Sequence, residues 1–208
     1  MANTQSNNIF SKIGAFYDRV TEGDSAVYTQ IFRSIRPYLS PDKTVLELAC
    51  GTGLISRAAA PYVKFIEATD RSKSAIDRAR RKGTHPSLHY AVQDASALPY
   101  EAKSFDIVLM VNALHQVSSP EKVLSEIHRV LKDGGILIAP TYVNEDKNGI
   151  PRSALLASFV NIGTKSPWTA DTFFEFLLAN GFVVTEHHII GNGVKLPVCF
   201  ASAEKVVR

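Results

Sequence analysis

The chain has 208 residues, 45% hydrophobic and 21% charged, an ordinary globular mix that excludes a disordered chain and leaves room for about one domain, 1–208. Lys and Arg number 23 against 20 Asp and Glu, a net charge of +3 that is too mild to argue for nucleic acid or a membrane surface. The two cysteines, Cys50 and Cys199, lie far apart without ligand spacing, which excludes a disulfide framework and a zinc module, so no metal is expected.

The first eight residues are polar, with no basic stretch leading into an apolar run, and no apolar stretch approaches the ~20 residues needed to span a bilayer. A reducing, cytoplasmic setting is the expectation. Segment 1–23 contains Gly14 and Gly23 and precedes the first clear helix, so it reads as a lid able to order over a ligand. Val27, Ile31, Ile35 and Leu39 recur every four residues and predict an amphipathic helix over 24–39, with Pro37 in its last turn. Thr44–Leu48 reads as a strand, followed by the turn Cys50-Gly51-Thr52-Gly53 and an Ala-rich helix over 54–60. A second strand is expected over 64–69, a helix over 72–82 closed by Gly83, and a third strand over 89–93.

The run FDIVLMVN, 105–112, is nearly continuous apolar sequence, as a strand buried on both faces requires. A helix follows with Val123, Leu124, Ile127, Val130 and Leu131 on one side, stopped by Asp133-Gly134-Gly135, and then a fifth strand over 136–141. Segment 142–168 is irregular. Thr169 or Asp171 caps a helix over 172–179, and two late strands near 182–190 and 197–203 flank Gly191-Asn192-Gly193 as a hairpin. Strand–helix alternation through residue 141 predicts an α/β fold, a doubly wound and mostly parallel sheet, to which the hairpin adds an antiparallel pair. Ligands bind such sheets outside the carboxyl ends of the strands. That edge carries 49–53, Asp70, Asp94, Asn112 and Tyr142.

Small residues between a strand and a helix let a ligand approach the backbone closely, which marks Glu47-Leu48-Ala49-Cys50-Gly51-Thr52-Gly53. A dinucleotide fingerprint G-x-G-x-x-G that starts at Gly51 needs a third glycine where Ser56 stands. Asp70 falls where an acid accepts from both hydroxyls of a ribose, although it also suits an N-cap that Ser72 can supply. Asp94 can accept from the exocyclic amine of a base, or serve only as a turn residue. Two acids and a glycine turn on successive strand ends point to a nucleoside.

The order VLELACGTG, ATDRS, QDASALPY, FDIVLMVNALHQV and LKDGGILIAP resembles the class I S-adenosylmethionine-dependent methyltransferases, in particular the methyltransferase type 11 group that includes quinone-biosynthesis C-methyltransferases. The resemblance is continuous over about 16–141 and resumes more loosely in SPWTADTFFEFLLANGF. It implies a Rossmann-like, seven-stranded sheet with a reversed last strand and S-adenosylmethionine as cofactor. It implies that the 47–53 loop, with Glu47, Ala49, Gly51 and Gly53, lies against the methionine part. Asp70 matches the ribose acid, Asp94 the acceptor for the adenine amine, and Ala95 a backbone donor to the ring. Asn112 matches the residue closing the fourth strand beside the sulfonium, and Tyr17 a lid residue over the cofactor. Two departures stand out: Ala49 replaces a frequent glycine, and Arg71 replaces an apolar residue that packs on adenine, a position where a guanidinium can stack instead.

Methyl transfer from a sulfonium is an in-line displacement, for which positioning alone can supply about 7–11 kcal/mol. His115, three residues past Asn112, is the candidate base should the acceptor need to lose a proton, its alternative being an anchor for the turn before the next helix. His128 is expected to point outward. No Asn/Asp-Pro-Pro-Tyr/Phe segment follows the fourth strand, and the basic run Arg78-Ala79-Arg80-Arg81-Lys82 reads as a solvated helix face, so nucleic acid is not expected as a partner. Tyr142, Leu155, Leu156, Phe159 and Trp168 in the 142–168 insertion form either an acceptor pocket or a cover for the sheet. The expected activity is methyl transfer to a small-molecule acceptor. A non-catalytic S-adenosylmethionine- or S-adenosylhomocysteine-binding scaffold module is the alternative, and a nicotinamide oxidoreductase is disfavoured by Ser56 and by the absence of a Tyr-x-x-x-Lys pair. Nothing in the sequence sets the acceptor or an oligomeric state.

Overall fold

The computed structural model describes residues 25–143, 168–191 and 197–206. The chain divides into two compact units, one ending at Leu98 and one beginning at Pro99.

In the first unit, helix α1 (Ser25–Ile35) buries Val27, Ile31 and Ile35, the stripe set by their four-residue spacing. It stops two residues before Pro37, which sits in a 3-10 turn, Arg36–Tyr38, because its ring cannot continue the α-helical ladder. Strands β1 (Thr44–Leu48), β2 (Phe65–Asp70) and β3 (Leu88–Val92) pair in parallel. Helices α2 (Leu54–Ala59) and α3 (Lys73–Lys82) connect them, α3 being capped by the Ser72 hydroxyl and closed by Gly83. Leu48 lies opposite Thr69 and Asp70 opposite Val92. This register ends the three strands at one edge and brings the 49–53 turn, Asp70 and the residues after Val92 to that edge.

In the second unit, β4 (Phe105–Leu109) pairs in parallel with β5 (Leu131–Ile138). The ladder continues past β4, with Met110 N–H donating to Ile138 O and Asn112 N–H to Pro140 O, at 3.0 and 2.7 Å. Helix α4 (Pro120–Val130) ends one residue earlier than its apolar spacing predicts, and β5 begins five residues earlier. Leu131 pairs with Phe105 and Ile136 with Ile107, so the Asp133-Gly134-Gly135 segment is a bulge inside the strand, with Gly134 at φ +70°. The two-residue β6 (Thr141–Tyr142), β7 (Phe182–Ile190) and β8 (Val198–Lys205) complete the strands. β8 runs antiparallel to β5, β6 and β7, the reversed pairing expected of the C-terminal strands, and it is buried from Val198 through Ala203. The hairpin turn at 192–196 lies outside the described residues. Helix α5 (Ala170–Ala179) is capped by Thr169, whose hydroxyl takes the Thr172 N–H. The class is mixed α/β with mostly parallel strands and an antiparallel C-terminal pair. Among the described residues there are eight strands where the resemblance implies seven, β6 being the extra one.

Candidate functional site

The glycine turn of the first unit is built from left-handed backbone. Ala49, Gly51 and Gly53 have φ of +53°, +56° and +73°. Ala49 thus bears the strain that a glycine would not, which explains why glycine suits that position. Gly53 is required for a further reason: a Cβ there would strike the Tyr90 hydroxyl and lie 2.8 Å from its ring Cε1. At Gly51 a Cβ would meet nothing within 4 Å among the described residues, so that position of the turn is open. Cys50 N–H donates to Thr69 O at 2.9 Å, and Thr69 Oγ1 donates to Glu47 O at 3.0 Å, which ties the turn to β2.

Asp70 holds this turn from the neighbouring strand. Gly51 N–H donates to Oδ2 at 2.9 Å and Ser72 N–H to Oδ1 at 2.8 Å. Each carboxylate oxygen has two acceptor positions, so both keep capacity for a ligand hydroxyl. Ser72, not Asp70, caps α3. Arg71 stands exposed between them. Gln93 N–H donates to Asp70 O at 3.1 Å, which brings the start of the next loop beside the acid. There Asp94 is exposed and closes an Asx turn, its Oδ1 accepting from Ser96 N–H at 2.8 Å and Ser96 Oγ–H at 2.7 Å, with Ala95 between them.

Glu47 lies beneath the turn, 3% exposed, and accepts a hydrogen bond on Oε2 from the Ser56 hydroxyl. Burial, aided by the Asp70 charge, pushes its carboxyl up to about 7, against the Ser56 hydrogen bond and the Arg57 charge. Burial likewise pushes the Cys50 thiol well up and the Cys199 thiol to about 11, so neither is a thiolate near neutrality.

The second unit carries the other candidates. Asn112, 0% exposed, has φ +50°, and among the described residues neither its Oδ1 nor its Nδ2 has a hydrogen-bond partner. His115 sits in the 3-10 turn Leu114–Gln116, fully buried, with Nδ1 3.0 Å from Thr141 Oγ1, Nε2 3.3 Å from Gln116 Nε2, and Tyr142 edge-on to its ring at 5.6 Å. Burial holds its pKa down at about 4. His128 is half-buried rather than outward-pointing: its ring packs edge-on against Phe182 at 5.6 Å, and Nε2 lies 3.1 Å from Val206 O.

The structure therefore gathers Glu47, Ala49, Gly51, Gly53, Asp70 and Arg71 around one strand end, with Asp94 and Ala95 one short loop on. Asn112 and His115 share a turn in the second unit. Trp168 packs on Phe173 and Phe176 of α5, at 5.1 and 5.0 Å. Tyr17 with segment 1–23, and Leu155, Leu156 and Phe159, lie outside the described residues. Sequence reasoning missed Ser56 as the partner of Glu47, Tyr90 as the ring under Gly53, and Thr141 and Gln116 as the partners of His115. The apolar alternation of Leu88 and Tyr90 around His89 is the one available signal, and both are buried while His89 is exposed.

Residues 46–139 match the model of a family described as a methyltransferase domain. A ubiquinone biosynthesis O-methyltransferase of Coxiella burnetii is 33% identical over 101 residues, 48% of this chain and 43% of that protein. A demethylmenaquinone methyltransferase of Clavibacter sepedonicus is 31% identical over 140 residues, 64% of this chain and 56% of that protein. The chain thus spans about half the length of the curated relatives it matches. Among solved structures, a putative methyltransferase of Haloferax volcanii in complex with a methyltransferase activator superposes with a TM-score of 0.79 at 20% identity, covering 94% of this chain and 97% of the other. A putative methyltransferase of Bacillus halodurans gives 0.71 at 20% identity, covering 88% and 100%. At these identities the structural likeness speaks to the fold.

Proposed function

We propose, from the match of residues 46–139 to the model of a methyltransferase domain, that the chain transfers a methyl group from S-adenosylmethionine to a small aromatic acceptor of the quinol type. The observation that carries the reading is the common edge formed by the glycine turn, Asp70 and the Asp94 loop, with Asp70 tied to Gly51 and still able to accept. The open space at Gly51 fits a ligand that lies against the main chain. When bound, the cofactor supplies a methyl group activated on a sulfonium.

In this reading Asp70 accepts from the ribose hydroxyls while fixing the turn, and Asp94 accepts from the adenine amine beside the Ala95 main chain. Arg71 stacks on the adenine ring. Glu47, Ala49, Gly51 and Gly53 hold the methionine part, and for Asn112 and Tyr17 a cofactor role is what the resemblance implies. His115 is the candidate base, but its neutral ring is buried and both nitrogens are engaged. That network supports an anchor for the turn, and transfer then rests on positioning. The acceptor class follows the quinone-pathway names of the two curated relatives.

Nucleic acid is left out of the reading, since Arg80 in the basic run is spent on its own unit, its Nη2 donating to Tyr90 O at 2.6 Å. The cytoplasm suits two buried free thiols, and among the described residues no helix is long and apolar enough to cross a membrane.

The test is turnover of labelled methyl over a panel of phenols and quinols. Transfer to at least one supports the enzyme. Cofactor binding without transfer to any supports the scaffold module instead. With an acceptor in hand, His115→Ala losing ~10²-fold or more in kcat at unchanged cofactor affinity assigns base chemistry. Retained turnover assigns anchoring.

A further inference from the structure

The hydrogen bonds of the glycine turn run in one direction, from a cation to a carboxylate. Arg57 Nη1 donates to Thr52 O at 2.6 Å, Gly53 N–H to Cys50 O at 2.9 Å, and Gly51 N–H to Asp70 Oδ2 at 2.9 Å. Thr52 C=O and Gly53 N–H belong to one peptide group, Cys50 C=O and Gly51 N–H to another. A trans peptide points its C=O and N–H in opposite directions, so each of the two accepts on one side and donates on the other. Bonds linked in this way polarise one another, and the charges at the two ends favour the same sense.

Neither peptide is oriented by its own residues. Each precedes a glycine, Gly51 at φ +56° and Gly53 at φ +73°. Glycine takes either sign of φ, so a peptide flip is open to both. The two ends of the chain of bonds select the observed orientation. Asp70 closes β2, and Ser72 N–H holds its other oxygen at 2.8 Å. Arg57 is seated in α2, its own N–H donating to Gly53 O at 3.1 Å. Its stem crosses Gly83 at the close of α3, where a Cβ would stand 3.3 Å from Arg57 Cδ. Every member of the relay lies in the first unit.

We propose that Arg57 is a positioning residue for Asp70: through two peptide groups it holds the Gly51 N–H that decides which acceptor positions of the carboxylate remain for a ligand. The role rests on the cofactor reading above, in which Asp70 accepts from a ribose. Arg57 acts through Asp70 and shares its effect on binding.

The experiment compares wild type with Arg57→Met, which keeps the stem over Gly83 and removes donor and charge, and with Arg57→Lys, which restores both. Amide proton resonances of the ligand-free proteins are read first. The Gly51 and Gly53 amide protons should move upfield in Arg57→Met, although neither bonds to Arg57, and return toward wild type in Arg57→Lys. Calorimetry with S-adenosylhomocysteine follows at pH 6, where Glu47, its carboxyl pushed up to about 7, keeps its proton with or without the Arg57 charge. Arg57→Met should weaken binding by about three- to tenfold, the size of one ordinary hydrogen bond, and Arg57→Lys should recover most of it. In an Asp70→Ala background the same Arg57→Met change should alter affinity by less than about twofold, because nothing is left to position. Should Arg57→Met not fold, Arg57→Gln, uncharged and shorter, takes its place. A Gly51 resonance that stays at its wild-type position, or equal losses with and without Asp70, overturns the proposal. Failure of wild type to bind S-adenosylhomocysteine overturns the cofactor reading and the role of Arg57 in binding, whereas the resonances still decide whether the relay exists.

Discussion

The loop of the first unit and the turn after β4 in the second each bury one titratable group, and burial acts on them with opposite sign. Glu47 is pushed up to about 7 and His115 down to about 4, desolvation being the leading cause in both. Both groups are consequently neutral between those values, one by keeping a proton and the other by refusing one. The comparison separates what the two regions need. The first unit keeps its exposed and half-exposed acids, Asp94 and Asp70, for hydrogen bonding and hides a third beneath them. The turn of the second buries Asn112 and His115, and it satisfies His115 while leaving the Asn112 side-chain amide without a hydrogen-bond partner among the described residues.

The largest expected effect is on stability against pH. Above pH ~4.5 the unfolded chain releases the Glu47 proton that the folded chain retains, so stability falls as pH rises from about 4.5 to 7. For His115 the unfolded chain takes up a proton below ~6.5 that the folded chain refuses, so stability rises with pH from about 4 to 6.5. The two slopes oppose one another in wild type, and the depressed carboxyls of Asp42, Asp77 and Asp133 titrate below this window. Glu47→Gln should unmask a rising profile and His115→Asn a falling one, each approaching ~1.4 kcal/mol per pH unit, read from denaturant midpoints. Flat profiles in both variants would break the comparison.

Next in size is the contrast inside the loop. Gly53→Ala meets both left-handed backbone and the Tyr90 ring, and should cost ~2–4 kcal/mol. Gly51→Ala meets the backbone strain alone and should cost ~1 kcal/mol. Equal costs would mean that Tyr90 does not support the turn. The smallest effect is a gain: Ala49→Gly relieves a left-handed alanine and should raise stability by about 0.5–1 kcal/mol, once the entropy lost with glycine is set against it. A lower melting temperature would contradict the strained turn.

The strand ends and the loop between Leu48 and Leu54 are legible in the sequence because apolar runs, glycines and terminal acids are local signals. They place β1 at its observed bounds and β2 and β3 within a residue of theirs. The start of β5 is not legible, since Leu131 continues the helical spacing of α4 and only the left-handed Gly134 lets the chain bulge back into register with β4. Ser56 sits nine residues from Glu47, and Thr141 sits 26 from His115. Such pairs are set by packing and carry no local pattern. His115 is visible as a histidine in the right loop, but its burial, which decides its chemistry near neutrality, is a tertiary fact.

The central claim is that Asp70 receives the ribose of the cofactor. Its direct test is the affinity of wild type and Asp70→Ala for S-adenosylhomocysteine and for the 2′-deoxy form of the same molecule. Because Asp70 also holds Gly51 and Ser72, loss of affinity alone does not isolate the ribose contact, whereas the cycle does. The account predicts that Asp70→Ala weakens S-adenosylhomocysteine by ~10- to 100-fold, the range for hydrogen bonds to a charged group. It also predicts that the 2′-hydroxyl matters to wild type and not to the variant. Wild-type affinity in a folded Asp70→Ala protein, or equal sensitivity of both proteins to the missing hydroxyl, would contradict it.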